Sequence, residues 1–212
     1  MAESQYAGRG QQQNRWHSEP GKNLTFSVLL KPSFLSVSLQ FDLTRVISLG
    51  IINALEPFLG EKLKIKWPND IYYADKKLGG ILIENVLQGS QIKNSVIGVG
   101  LNINQEIFPL EVPGAVSVKQ ILHRDYDLKF ILSEICKNLE AVYLSLKSGR
   151  YDAVRIAYRE RLYRLNEEKY YRFEEHIFEG RITGVTDEGL LLMDAGGVEK
   201  KYNLKEIEFL NN

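Results

Sequence analysis

Lys66-Trp-Pro-Asn-Asp70 and Lys77-Leu-Gly-Gly-Ile-Leu-Ile-Glu84 bracket a short strand and a charged turn. Ahead of them, Leu63, Ile65 and Trp67 fall on one face of an alternating strand, and Lys62, Lys64 and Lys66 on the other. Pro68-Asn-Asp70 stops that strand, Ile71-Tyr-Tyr73 resumes it, Asp75-Lys-Lys77 turns it, and Leu78 to Leu87 returns. Gly79 and Gly80 inside the returning strand mark a bulge or a place where a ligand approaches the backbone closely. Alternation alone would leave Lys66 on a solvated face with Lys62 and Lys64; its place beside the turn sets it apart. Turn chemistry and mixed charge at this density mark a site rather than core.

On the N-terminal side, Leu24, Phe26, Val28 and Leu30 alternate as a strand with one apolar face, ended by Pro32. Asp42 is placed to cap a helix in which Leu43, Val46, Ile47, Gly50, Ile51, Ala54, Leu55 and Phe58 form one face, with Gly60 as its stop. That face requires a sheet to lie against. Further upstream, Gly8-Arg-Gly10 to Trp16 is a polar, glycine-bearing loop, expected to be mobile. Arg9 and Arg15 supply donors suited to phosphate or carboxylate. A surface loop and a ligand loop are equally open readings of these residues.

On the C-terminal side, Ser95 to Asn104 carries Gly-x-Gly-x-Asn, which thins the side chains of a strand ahead of Asn102. Residues 105–116 read as loop, Ser117 as the cap of a short helix, and Asp127 as the cap of a longer one ended by Gly149. Cys136 falls at an apolar position of that longer helix and is expected to be buried. In a third helix, Asp152 to Leu165, Arg155, Arg159, Arg161 and Arg164 form an expected solvated face. From Lys169 short strands take over, with turns at Asp187-Glu-Gly189 and Ala195-Gly-Gly197, as in a small β-barrel. The division expected is therefore residues 1–166 for an α/β domain and 167–212 for the barrel.

Composition bounds the function. The 212 residues are 44% hydrophobic and 25% charged, as in ordinary globular domains, and the formal net charge of zero gives no broad footprint for nucleic acid. One cysteine forms no internal disulfide, and no Cys/His spacing suits zinc. The start, Met-Ala-Glu-Ser-Gln-Tyr, has no basic region followed by an apolar run, and no stretch reads as bilayer-spanning; the expectation is a soluble, cytoplasmic chain without a membrane partner.

The ordered set of glycine–arginine loop, apolar strand, long helix, Lys66–Asp70, Lys77–Leu82, Gly-x-Gly-x-Asn strand and small barrel resembles the biotin protein ligases, the biotin–[acetyl-CoA carboxylase] ligases, over essentially the whole chain. The resemblance implies an α/β fold (α+β), with a mixed sheet backed by helices and a small C-terminal SH3-like β-barrel. It implies ATP and biotin as substrates, Mg2+, biotinyl-5′-AMP as intermediate, and a lysine of the biotin carboxyl carrier domain of acetyl-CoA carboxylase as acceptor. Lys77 and Arg9 would be catalytic. Gln5, Gly8, Arg9, Gly10, Lys77, Gly80, Ile81 and Leu82 would bind biotin. Gln11, Asn14, Trp16, Lys66, Asn69, Asp70 and Asn102 would serve ATP, with Asp70 on the metal side. Packing is an equally open reading for Trp16.

Three departures from the family pattern stand out. Gln11 and Asn14 replace arginines, and Gln13 stands where the family commonly has glycine. The family also carries catalytic-domain residues, including a Ser/Thr-Asn segment, ahead of the Gln5 strand, so an N-terminally incomplete catalytic domain is expected. No winged-helix DNA-binding domain is seen, so no DNA partner is expected. An exposed sheet edge leaves a homodimer open. Two rival readings are a catalytically impaired remnant that binds only carrier or nucleotide, and a lipoate-type attachment enzyme.

Overall fold

The computed structural model describes residues 1–11, 14–204 and 206–210; Gln13 lies outside them. The main sheet has five strands: β3 (Leu24–Leu30), β4 (Leu63–Lys66), β5 (Asp70–Tyr73), β6 (Lys76–Gln88) and β7 (Gln91–Leu101). Their order across the sheet is β3-β7-β6-β5-β4, with antiparallel ladders throughout. Parallel bridges, Ile65 to Leu162 and Lys77 to Ala115, add to it locally. The two-residue strands β1 (Gly8–Arg9) and β2 (Arg15–Trp16) form a separate ribbon.

Alternation separates the faces of the main sheet. Leu24, Phe26, Ile65, Ile71, Ile81, Ile97, Val99 and Leu101 are buried on the core face. Helix α1 (Phe41–Leu59) lies on them, and α3 (Leu128–Lys147) and α4 (Tyr151–Glu160) lie behind α1. The expected stripe of α1 is buried except for Phe58, which is half-buried. Because α1 is covered from both sides, Leu49, Ile52 and Leu59 are buried as well. A Cβ on Gly50 would sit 2.7 Å from Leu139 Cα, so glycine lets α1 and α3 approach closely.

Gly60 stops α1, Ser117 caps α2 (Val118–Leu122) in a capping box with Gln120, and Asp127 caps α3 through the Lys129 amide at 2.8 Å. Asp42, in contrast, is not a cap. It lies within the first turn of α1, fully buried, and its carboxylate is taken by Arg45 at 2.5 Å and Arg155 at 3.0 Å. Of the arginines of the third helical segment, Arg159 is exposed as expected, whereas Arg155 and Arg161 are half-buried and Arg164 is buried. The helix ends at Glu160, Arg159 donates to the Thr183 carbonyl, Arg161 pairs with Glu56, and Arg164 is buried and donates to the Leu210 carbonyl. Cys136 is exposed, contrary to expectation, because it follows buried Ile135 and so points about 100° away from the buried face of α3.

The C-terminal strands β8 (Glu168–Phe173), β9 (His176–Val185), β10 (Leu191–Ala195), β11 (Val198–Tyr202) and β12 (Ile207–Phe209) form an SH3-like antiparallel sheet in the order β11-β10-β9-β8-β12. Among the described residues no ladder joins β11 to β12, so the barrel is not closed. The segment Val37–Lys62 is long and apolar enough to cross a membrane by length and composition, which the sequence reading did not anticipate; 67% of its window is buried inside the fold, as a core helix would be.

One continuous cluster of buried residues runs from Leu24 and Ile65 through Tyr158 and Leu162 to Tyr171, Ile182 and Leu191. The two sheets therefore share a core. Scanning calorimetry is expected to give a single endotherm, with calorimetric and van't Hoff enthalpies in agreement. Two resolved transitions would contradict the shared core.

Candidate active site

The solvent-side face of the main sheet carries the candidate site. Register places Thr25 of β3, Gly100 of β7, Gly80 of β6, Asp70 of β5 and Lys66 of β4 in one cross-strand row. The next row along the same face holds Ser27, Gly98 and Leu82, and the one after it Leu29, Val96 and Glu84. Glycines at the centre of two adjacent rows make a trough, with hydroxyls at the β3 end and charges at the β5 end. The result is a cleft of about 360 Å³.

The β1–β2 ribbon covers one side of this trough. Gly8 pairs with Trp16 and Arg9 with Arg15 in its ladder, and the Gly10 amide donates to the Asn14 carbonyl at 2.7 Å. The Trp16 indole rests on bare Gly100, where any Cβ would collide with its ring. Arg9 reaches Glu84 through both guanidinium nitrogens, at 3.2 and 3.0 Å. Both partners are well exposed, so this ion pair is weak and easily exchanged for another anion.

At the charged end, Lys77 Nζ lies 2.7 Å from Asp70 Oδ1. A Cβ on Gly80 would stand 3.3 Å from that carboxylate oxygen and 3.6 Å from the ammonium, so the glycine keeps the pair open to the trough. The Lys77 backbone is held from the other side by loop residues, its amide donating to Gly114 O at 2.8 Å and its carbonyl accepting from Val116 N at 2.9 Å. Asn69 Nδ2 donates to Ile81 O at 2.6 Å, which pins the turn to the wall of the cleft.

Of the residues expected from sequence, Gln5, Arg9, Gly10, Gln11, Asn14, Trp16, Asn69, Asp70, Lys77, Gly80, Ile81 and Leu82 line this cleft. Gly8 lines the adjoining space under the ribbon. Lys66 and Asn102 do not line the cleft. Lys66 Nζ donates to Tyr72 OH at 3.1 Å and lies 4.8 Å from the centres of the Tyr72 and Phe209 rings. Burial pushes its ammonium below the usual lysine range, against the opposing pull of Asp70. Asn102 is buried, and its amide donates to Val116 O at 3.2 Å, bracing the loop behind Lys77.

Thr25, Ser27, Val96 and Leu204 line the cleft without having been singled out from sequence, and Gly98 of the Gly-x-Gly-x-Asn stretch lines it too. Alternation along Leu24–Leu30 already placed Thr25 and Ser27 on the face away from the core; what was missing was which face the ligand uses. Three side-chain atoms there are buried without a hydrogen-bond partner: Gln5 Oε1, Trp16 Nε1 and Thr25 Oγ1. Unpaired buried polar atoms are costly, and a ligand offering uncharged donors and acceptors would satisfy them. Among the described residues, no group of three or more His, Cys, Asp or Glu is arranged to hold a metal.

The chain aligns with the "Bifunctional ligase/repressor BirA" of Bacillus subtilis at 28% identity over 207 residues, covering 96% of this chain and 63% of that protein. It thus spans less than two thirds of that relative. The "Biotin--[acetyl-CoA-carboxylase] ligase" of Paracoccus denitrificans is 28% identical over 200 residues, covering 91% of this chain and 82% of that one. A family described as "Biotin/lipoate A/B protein ligase family" matches residues 1–102. The solved "Biotin protein ligase from Aquifex aeolicus in complex with biotin and ATP" superposes with a TM-score of 0.81 at 27% identity, covering 100% of this chain and 88% of that one. The chain is similar to biotin protein ligases in both sequence and fold. The likeness extends over the fold, since the helix-backed sheet and the SH3-like C-terminal strands are both included in that superposition.

Proposed function

We propose that this chain is an ATP-dependent ligase that activates biotin as biotinyl-5′-AMP and transfers it to a lysine of a biotin carboxyl carrier protein. The observation that carries the reading is the polarity of the trough: uncharged, unpartnered Gln5, Trp16 and Thr25 atoms at one end and the Lys77–Asp70 pair at the other. Biotin has the same order, with a neutral urea at one end and a carboxylate at the other. Four strands separate Thr25 from Asp70 inclusive, about 14 Å at ordinary strand spacing, which leaves room for the acid and the α-phosphate together.

In the first step a biotin carboxylate oxygen bonds to the α-phosphorus. The bond from that phosphorus to the bridging oxygen breaks, and pyrophosphate leaves. In the second step the acceptor amine bonds to the acyl carbon, AMP leaves, and the amine loses a proton. Both reactants of the first step are anionic, so their approach needs fixed positive charge. Lys77 supplies it from the trough floor. Arg9, whose only ion pair among the described residues is the exposed one to Glu84, can turn to the new anion. Asp70 supplies one carboxylate, enough for a magnesium ion that keeps most of its waters and is carried in on the nucleotide phosphates. Bound magnesium would neutralise phosphate charge.

Carrier domain incubated with the chain, ATP, magnesium and biotin should become reactive to streptavidin on a blot, and omission of ATP should abolish the signal. No signal from folded protein would support binding without catalysis. Labelling by lipoate in preference to biotin would support the lipoate-type reading.

A further inference from the structure

Every residue of Lys66–Asp70 has its own anchor. Asp70 pairs with Lys77, Asn69 exchanges bonds with Ile81, and the Pro68 carbonyl accepts from Tyr158 OH at 3.4 Å. These anchors belong to the main sheet and its helices. The other two reach the C-terminal sheet, although Lys66 Nζ also donates to Tyr72 OH of β5 at 3.1 Å. Trp67 Nε1 donates to Gly189 O at 2.9 Å, with Trp67 only 5% exposed. Lys66 Nζ lies against the Phe209 ring. Gly189 and Phe209 both belong to the C-terminal sheet and its turns, and strand alternation puts Lys66 and Trp67 on opposite faces. The C-terminal sheet therefore holds this turn from both sides.

The Gly189 anchor is itself firmly seated. Arg45, 1% exposed, donates to the carbonyls of Thr186 and Asp187. Arg155 pairs with Asp187 at 2.8 Å. Gly189 has φ of +100°, and a Cβ there would fall 2.5 Å from Phe41 ring carbons. A side chain at that position would push the turn away from Trp67.

We propose that the turn between β9 and β10 is a positioning element for the charged end of the cleft. Through Trp67 it fixes the course of Pro68–Asp70, and so the placement of Asp70 against Lys77. Trp67 and Gly189 are positioning residues: neither lines the cleft. The inference rests on the ligase reading only for its kinetic test.

Two variants test it. Trp67→Phe keeps a packed ring and removes the donor; Gly189→Ala displaces the acceptor. Amide exchange on the ligand-free proteins should show residues 66–72 exchanging about tenfold faster in both, with residues 96–101 of β7 unchanged. In steady-state assays the KM for ATP should rise about tenfold while that for biotin stays within about twofold. A merely structural role would lower the rate in proportion to lost folded protein and leave both KM values alone. The proposal is overturned if either folded variant exchanges like the parent over 66–72, or if KM for ATP and for biotin rise together. An inactive parent would overturn the ligase reading, and the exchange measurement would still decide this one.

Discussion

Lys77→Ala is expected to slow biotin-dependent exchange of pyrophosphate into ATP by about 10²–10³-fold, the usual cost of removing a fixed charge that faces developing negative charge. Carrier labelling should fall with it. The effect arises because Lys77 is, among the described residues, the one ammonium on the floor of the cleft, held between its Asp70 partner and a backbone clamped by Gly114 and Val116. Stability should barely move. Lys77 and Asp70 side chains are 35% and 23% exposed, so solvent screens their attraction, and such a pair contributes no more than about 1 kcal/mol. Lys77→Arg should restore little, because a planar fork does not replace a compact ammonium beside Gly80. A variant that loses exchange activity together with its thermal transition would instead report unfolding. Exchange within a few-fold of the parent would remove Lys77 from the chemistry.

Asp42→Ala is expected to have the largest effect on stability, about 3–5 kcal/mol, as when one member of a buried charged group is removed. Asp42 is fully buried and Arg45 is 1% exposed, so the deletion leaves a guanidinium without its counter-charge inside the fold. Arg155 also loses two bonds, at 3.3 and 3.0 Å. Asp42 holds that guanidinium's pKa above the usual arginine range. For a chain of this size the melting temperature should fall by on the order of 10 °C. Replacing Asp42, Arg45 and Arg155 together with apolar residues of similar volume should cost much less, since no charge is then stranded. A drop of only a degree or two in Asp42→Ala would show that water reaches Arg45.

The contrast between Asp42 and Asp127 shows what was legible in the sequence. Both precede or enter an apolar helical stripe. Asp127 caps its helix because its partner, the Lys129 amide, is two residues away. Asp42 is drawn inward by Arg155, which lies 113 residues further along the chain. Local patterns thus carried the strands, the helix stripes, the caps at Ser117 and Asp127, and the turn at Lys66–Asp70. Long-range pairings were not legible. They drew Arg155, Arg161 and Arg164 of the third helical segment into ion-paired or buried positions and brought Leu204 to the cleft. They also took the Lys66 ammonium to the Phe209 ring rather than the cleft. Thr25 and Ser27 were missed for a related reason: only the register of β3 on β7 brings them level with Gly100 and Gly98.

The cross-strand row from Thr25 to Asp70 has one more consequence. It is assembled from four strands, and side chains alternate, so it exists at a single register. If β6 slipped by one residue, Gly79, Ile81 and Ile83 would face the trough, and the cleft would be filled. Ligand therefore binds only the correctly paired sheet and draws misaligned chains toward it by mass action. At a hundred times Kd that bias amounts to about 2.7 kcal/mol. A ligand of this cleft would thereby favour the correct strand alignment.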